Sequence, residues 1–377
     1  FEPINFEKVM NIVEQLDIAG VVVQFAGQTG INLAEKLEYS GVKVLGTPVE
    51  MIDMAEDREK FEKMMKELGI PQTQGKTAKS VDEVEAIADE LGFPLLVRPS
   101  YVLGGRAMQV VYDKEELIHY VQSAVDLSTE HPVLIDKYIL GKEVEVDAIG
   151  DGEEILIPGI MEHIERAGVH SGDSMSAYPS YSISENVKNK IVDYTIRLGK
   201  ALKISGIFNI QFVVADEEAY VLEVNPRASR TVPIMSKVTG VPMVKLATLA
   251  MVGKKLRDMG YQEGLFPEQP YFVVKAPVFS FEKLTQVETT LGPEMKSTGE
   301  VLGIDLNFEA ALYKAFIGTG VRYPLSGKVM VALAKKDYEE GKEIVKDFLE
   351  MGYEVFCTEA TGEFFTKEGL DVVVTEE

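Results

Sequence analysis

The chain has 377 residues, enough for two or three domains. Its 38 lysines and arginines stand against 61 aspartates and glutamates, and the formal charge of −23 argues against a nucleic-acid grip or an anionic membrane surface, both of which need basic patches. Apolar content of 46%, one cysteine (Cys357) and apolar runs far short of roughly 18 residues exclude a disordered chain, a disulfide framework and a membrane helix, and a cytoplasmic protein is expected.

Residue 1 is Phe, a signal peptide is not expected, and the chain opens on a helical pattern (Phe6, Val9, Met10, Val13, Leu16), as expected of a piece of something longer. Residues 20–27 form a continuous apolar run suited to a buried parallel strand. A helix through Ile31, Leu33, Ala34 and Leu37 and a short strand at 42–46 complete a small α/β unit over residues 1–46. Thr47-Pro48 has the form of an N-cap followed by an N1 proline, which predicts helix over 51–68 with a break near Asp57. Ser80 and Glu83 form a capping box for the next helix. Strands at 94–100 and 107–112 flank the turn Leu103-Gly104-Gly105-Arg106, and a helix follows at 114–125. Residues 133–139, 143–149 and 154–161 alternate as antiparallel strands, the last two joined by Asp151-Gly152. An amphipathic helix covers 185–202, a hairpin pairs 207–214 with 220–224 over an acidic turn, and helices continue to about residue 256. From residue 328 the pattern restarts as strand 329–334, helix 342–351, strand 353–357, a helix and strand 370–374. This is the βαβαβ opening of a separate doubly wound domain, with fewer strands than such a sheet usually has, so truncation is expected.

There is no Gly-x-Ser-x-Gly elbow, and no two of the four histidines (His119, His131, His163, His170) stand at i, i+4, so covalent catalysis and a zinc site are not expected. The hairpin carries more. Alternation puts Asn209 and Gln211 on one face of the first strand and Glu223 and Asn225 on one face of the second. A turn at 216–218 sets Gln211 opposite Glu223 and Asn209 opposite Asn225, a group of hard oxygen donors of the kind Mg²⁺ prefers; a solvated hairpin face is the alternative. Arg227 and Arg230 follow directly and could clamp an anion, with Arg98, Arg106 and Lys137 as further local positive charge. The loop 98–106 lacks the Gly-Lys-Ser/Thr of a Walker loop and reads as a glycine turn able to fold over phosphates or as a plain hairpin turn. Gly27-Gln28-Thr29-Gly30 lacks the full dinucleotide fingerprint and reads as a structural turn. His170, in the loop Gly168-Val169-His170-Ser171-Gly172-Asp173, is either a substrate contact or a turn residue.

Four segments together resemble the carbamoyl phosphate synthetase large chain, an ATP-grasp ligase, over essentially the whole chain. They are Glu56-Asp57-Arg58, Val97-Arg98-Pro99-Ser100-Tyr101-Val102-Leu103-Gly104-Gly105-Arg106-Ala107-Met108, the 168–173 loop and Glu223-Val224-Asn225-Pro226-Arg227. Gly104-Gly105-Arg106-Ala107-Met108 and Arg230-Thr231-Val232-Pro233 are similar to the second of that chain's two halves, which phosphorylates carbamate with MgATP to give carbamoyl phosphate and ADP. The resemblance implies an α/β protein with an α+β ATP-grasp core. Residues 1–46 correspond to a pre-ATP-grasp unit, 47–321 to the ATP-grasp domain and its trailing connection, and 322–377 to the start of a methylglyoxal-synthase-like regulatory domain. It implies that Arg98, Lys137, Ile139, Glu143, Gly168, Val169, His170 and Ser171 line the nucleotide and phosphate site. Gln211, Glu223 and Asn225 would hold Mg²⁺ or Mn²⁺, and Arg227 and Arg230 would face the transferred phosphoryl group. Many members carry His where this chain has Lys137, a harmless change if the contact is through backbone. The implied partners are the N-terminal half of the large chain, which supplies carbamate, and a small glutaminase subunit, which supplies ammonia, for pyrimidine or arginine synthesis; a homo-oligomer is compatible. The alternatives are another ATP-grasp carboxylate–amine ligase or a biotin carboxylase, and a nucleotide sensor without turnover. A decayed site would be expected to lose Glu223, Asn225 or Arg227, and all three are present.

Overall fold

The structure is a computed structural model and describes residues 2–99, 108–124, 132–281, 283, 289–292 and 294–375. The expected glycine turn, with Arg106, and His131 lie outside the described residues. The chain divides into two units, Phe1–Thr319 and Gly320–Glu377.

In the first unit, helix Phe6–Gln15 begins at Asn5, whose side chain accepts from Lys8 N–H. The expected strand at 20–27 is shorter than its apolar run: only Val21–Val22 pair, in parallel, with Val44–Leu45. The chain leaves the strand at Gln24, whose side-chain amide is spent on distant carbonyls, and Gly27 already opens helix Gly27–Ile31. Thr47 is not a cap. Its hydroxyl bonds the Ser205 backbone instead, and Pro48 leads helix Val49–Glu56 without a side-chain cap. The break near Asp57 is present: Asp57 caps helix Arg58–Leu68 by accepting from Lys60 N–H. Ser80 likewise caps helix Val81–Leu91, with Glu83 accepting from Lys79 N–H.

Two sheets build the rest of this unit. The smaller runs Gly75–Ala78, Val133–Lys137, Leu95–Pro99, Gln109–Val111, antiparallel throughout. Its core is Leu95, Val97, Val133 and Ile135 against Val84, Ile87 and Leu117 of the covering helices. The larger runs, in spatial order, Glu218–Asn225, Ser205–Ala215, Lys142–Asp151, Met161–Arg166, Ser176–Tyr178, Phe272–Val278, Gly299–Asp305, with Ile155–Ile157 and Gly264–Leu265 at one side. The single strand expected at 154–161 is two strands, because Pro158 has no N–H to continue a ladder. Phe208, Ile210 and Phe212 are buried under helix Glu185–Ala201 through Ile191 and Leu198, and each such side chain contributes roughly 1.5–3 kcal/mol by burial. The intervening residues, Asn209 and Gln211, therefore face the other way.

The second unit is a parallel sheet of Lys328–Val331, Glu354–Thr358 and Val373–Thr375, crossed over by helices Tyr338–Glu350 and Glu359–Lys367. Its outer strands are shorter than expected, and its first helix starts at Tyr338, before residue 342; Gly341 lies inside it, where a Cβ would collide with Leu333. Val345, Val355, Cys357 and Phe365 are its core. Among the described residues no single helix is long and apolar enough to cross a membrane.

Candidate active site

The two sheets of the first unit face each other across a cavity of about 510 Å³. The larger sheet supplies its floor through the hairpin Ser205–Ala215/Glu218–Asn225. The turn is two residues, Asp216 and Glu217, both at positive φ, not the three expected. Pairing starts at Ala215 with Glu218 and runs to Phe212 with Val221; a bulge at Leu222 then sets Gln211 opposite Glu223 and Asn209 opposite Asn225. The expected register is therefore present, restored by the bulge. Without it every ligand candidate on the second strand would turn to the other face. The bulge also leaves Leu222 lining the cavity beside Glu223.

A chain of hydrogen bonds runs along this floor. Asn225 Nδ2 donates to Glu223 Oε1 (2.9 Å), and Arg227 Nη2 donates to Asn225 Oδ1 (3.0 Å). Arg227 Nε donates to Gln28 Oε1 (3.1 Å), and Gln28 Nε2 donates to Glu56 Oε2 (2.6 Å). Burial pushes the Glu56 carboxyl up, against the Gln28 hydrogen bond and the Arg227 charge. The donor set of one carboxylate and two carboxamides, open to the cavity, fits a hard divalent cation whose remaining positions go to phosphate and water oxygens. Asn225 uses its oxygen on Arg227 here, so ligation through that oxygen would have to share it.

The second wall is the 168–173 loop. Glu143 Oε1 accepts from Gly168 N–H (2.8 Å), and the Tyr138 hydroxyl bonds Ala167 O. Gly168 sits at φ +93, and a Cβ there would also press on the Tyr138 ring and hydroxyl. His170 Nδ1 accepts from Gly172 N–H (3.0 Å), so the neutral ring carries its proton on Nε2. Burial lowers the His170 pKa and Arg230 lowers it further, against Asp173. Lys275, fully buried, fixes the loop by donating to Ser171 O (2.8 Å).

The central strand Lys142–Asp151 carries three buried acids on the cavity face, Glu143, Glu145 and Asp147. His163 lies between the first two, with Nδ1 3.3 Å from Glu143 and Nε2 3.6 Å from Glu145, the latter an ion-pair rather than a hydrogen-bond distance. Burial pushes His163 down, but the two carboxylates outweigh it and hold it protonated, with a pKa of about 9. Glu145, despite burial, is held below its usual range by His163 and Lys275. Asp147 is pushed up to about 7 by burial and the Glu145 charge; it accepts from Asn209 and Ser229 and bonds the Thr231 hydroxyl.

Of the expected site residues, Arg98, Lys137, Ile139, Glu143, Gly168, Val169, His170, Ser171, Gln211, Glu223, Asn225 and Arg227 all line this one cavity. Arg230 does not line it; it lies beside the loop, where a Cβ on Gly172 would meet His170 Nδ1 at 3.2 Å and Arg230 Nη1 at 3.4 Å. Lys137 lends the cavity little of its side-chain charge, because Nζ is committed to Gly92 O and Phe93 O at 2.9 Å each. Arg98 lies 3.6 Å from Asp136, which also pairs with Arg58. Gln28 also lines the cavity, so the 27–30 segment is more than a structural turn. The buried acids were open to detection as charges at every second position of an otherwise apolar strand.

The family model described as "Carbamoyl-phosphate synthase L chain, ATP binding domain" matches residues 57–259, and the one described as "Carbamoyl phosphate synthase preATP-grasp domain" matches residues 1–54. Among solved structures, the chain is similar to the biotin carboxylase domain dimer of Hydrogenobacter thermophilus 2-oxoglutarate carboxylase, in complex with MgADP, ADP and bicarbonate. That similarity has a TM-score of 0.61 and 19% identity over 74% of this chain and 62% of that one. A Campylobacter jejuni biotin carboxylase–β,γ-ATP complex gives 0.59 and 18% over 74% and 63%. The chain thus spans less than two thirds of these structures' length, and the likeness is one of fold.

Proposed function

This chain belongs to the carbamoyl-phosphate synthase large-chain family and carries its ATP-grasp ATP-binding domain, and we propose that it phosphorylates carbamate with MgATP to give carbamoyl phosphate and ADP. The observation that carries this is the gathering of the hairpin donors, Arg227 and the 168–173 loop around one cavity between two sheets. Nucleotide binding by the biotin carboxylases of this fold supports the choice of ATP and Mg²⁺. Gln211, Glu223 and Asn225 would hold Mg²⁺ or Mn²⁺, which supplies charge neutralisation on the phosphates.

The chain's own residues do the rest. Carbamate is already an anion, so its oxygen attacks the γ-phosphorus without a protein base; the new P–O bond forms as the bond to the ADP oxygen breaks. Catalysis is then positioning and charge stabilisation, which fits a cavity without a nucleophile. Arg227 presents a fixed fork to the equatorial oxygens. His170 offers Nε2–H as a neutral donor, and Glu143 and Lys275 hold the loop that bears it. Leu96, Met108, Ile139 and Leu222 form an apolar wall for the base. Carbamate and ammonia would come from an N-terminal half-chain and a glutaminase subunit, for pyrimidine or arginine synthesis in the cytoplasm, and residues 322–377 would open a regulatory domain.

The biotin carboxylase likeness favours one second reading, carboxyphosphate formation from bicarbonate with biotin as acceptor. The two separate in an ATPase assay. Stimulation by ammonium carbonate solutions, which contain carbamate, is expected, with none by bicarbonate plus free biotin; the opposite pattern would select the second reading.

A further inference from the structure

Gln28 is carried by the N-terminal α/β unit, in helix Gly27–Ile31, yet its amide sits in the cavity. Its hydrogen-bond directions are fixed by chemistry. Arg227 Nε can only donate, so the atom facing it must be Gln28 Oε1. The amide nitrogen must then face Glu56, an acceptor 2.6 Å away, and its other hydrogen goes to Asn32 Oδ1 at 3.1 Å. Every donor and acceptor of this amide except one lone pair is used. Four residues earlier, Gln24 docks the same turn: its side-chain Nε2 donates to Pro226 O (3.1 Å) and to Ile207 O (3.0 Å), and its backbone carbonyl accepts from Ala228 N–H (2.9 Å). One stretch of the N-terminal unit therefore holds the backbone on both sides of Arg227 and the guanidinium itself. Arg227 also donates through Nη2 to Asn225 and through Nη1 to Ala228 O, which among the described residues leaves one N–H on each terminal nitrogen for a ligand.

We propose that Gln28 is a positioning residue for phosphoryl transfer: oriented by Glu56, it fixes the plane of the Arg227 guanidinium so that the two remaining N–H groups point at the transferring phosphoryl group. This rests on the phosphoryl-transfer reading above. Rotation of the fork about its Cδ–Nε bond would keep the charge in the cavity but lose the paired geometry, and misplacement of a clamp on that scale costs on the order of tenfold to a hundredfold in rate.

The test exchanges the polarity of the pair. Gln28→Ala removes the acceptor. Gln28→Glu keeps an acceptor for Arg227 but sets a carboxylate against Glu56. The double variant Gln28→Glu/Glu56→Gln restores a donor–acceptor pair with its direction reversed while keeping an acceptor for Arg227, a recovery which only a hydrogen-bond role predicts. Formation of ATP from carbamoyl phosphate and MgADP is followed, together with the NMR resonance of the Arg227 Nε–H. The expected result is a kcat loss of about tenfold or more in both single variants with KM for MgADP within about twofold, and recovery to within about threefold in the double variant. The Nε–H resonance is expected in the wild type and the double variant and broadened or shifted in Gln28→Ala. An unshifted resonance in Gln28→Ala, an unchanged kcat there, or a double variant no better than Gln28→Glu would overturn the proposal. A wild type that forms no ATP but shows the expected Nε–H pattern would overturn the transfer reading while upholding the hold of Gln28 on Arg227.

Discussion

Glu223 carries the only formal charge among the three hairpin donors, so the metal site depends on it more than on Gln211 or Asn225. Glu223→Gln keeps the shape and the Asn225 contact and removes the charge; kcat should fall by roughly a hundredfold or more with an unchanged circular dichroism spectrum. Near-normal rates at ordinary Mg²⁺ would take Glu223 out of the site. His163 makes a different prediction. Its folded pKa of about 9 lies above the ordinary imidazole value of 6.5, so the stability its proton contributes is complete below about pH 6.5 and is lost as the pH rises through 9. The melting temperature should fall across that window, and His163→Gln should flatten the slope. Asn209, Gln211, Glu223, Asn225 and Arg227 were legible because strand alternation and register bring them together. Gln28 was not, because its partner Arg227 lies 199 positions away and short-range patterns carry no such distance.

Among the elements, the hairpin shows how sequence and structure reach one register by different routes. A three-residue turn explains the pairing of Gln211 with Glu223 as well as a two-residue turn with a bulge does, and nothing local in Val221-Leu222-Glu223 marks the bulge. The turn itself carries strain: Asp216 and Glu217 sit at φ 49 and 59, where Asn and Gly are at home. Asp216→Asn/Glu217→Gly should stabilise the protein by about 1 kcal/mol, even after loss of the Ser184–Glu217 contact, and leave kcat unchanged. An equal or lower melting temperature would show that Glu217 contributes more than its backbone costs. Helix placement agrees with the structure where a cap announces it, at Ser80, and the expected break near Asp57 is a cap in its own right. Placement failed where tertiary contacts override the local signal, as at Thr47, which bonds Ser205, and along 20–27, where Gln24 reaches across to Pro226.

At the scale of the whole molecule, the restart of the βαβ pattern near residue 328 is visible in the sequence, and the structure divides at Thr319/Gly320. The N-terminal unit is joined to the cavity by side chains as well as by chain: Gln28 lines the cavity and accepts from Arg227, held from the following helix by Glu56, and Gln24 holds the Pro226 backbone. Glutamine-dependent synthesis is not expected of this chain by itself: Cys357 is its only thiol, and burial pushes that thiol up and away from nucleophilic reactivity. The chain is incubated with carbamoyl phosphate and MgADP, and ATP is read by luciferase, with Glu223→Gln as the control. ATP formation in the wild type, lost in the variant, is the predicted result. A folded, nucleotide-binding wild type that forms no ATP would contradict the assignment of carbamate phosphorylation to this cavity.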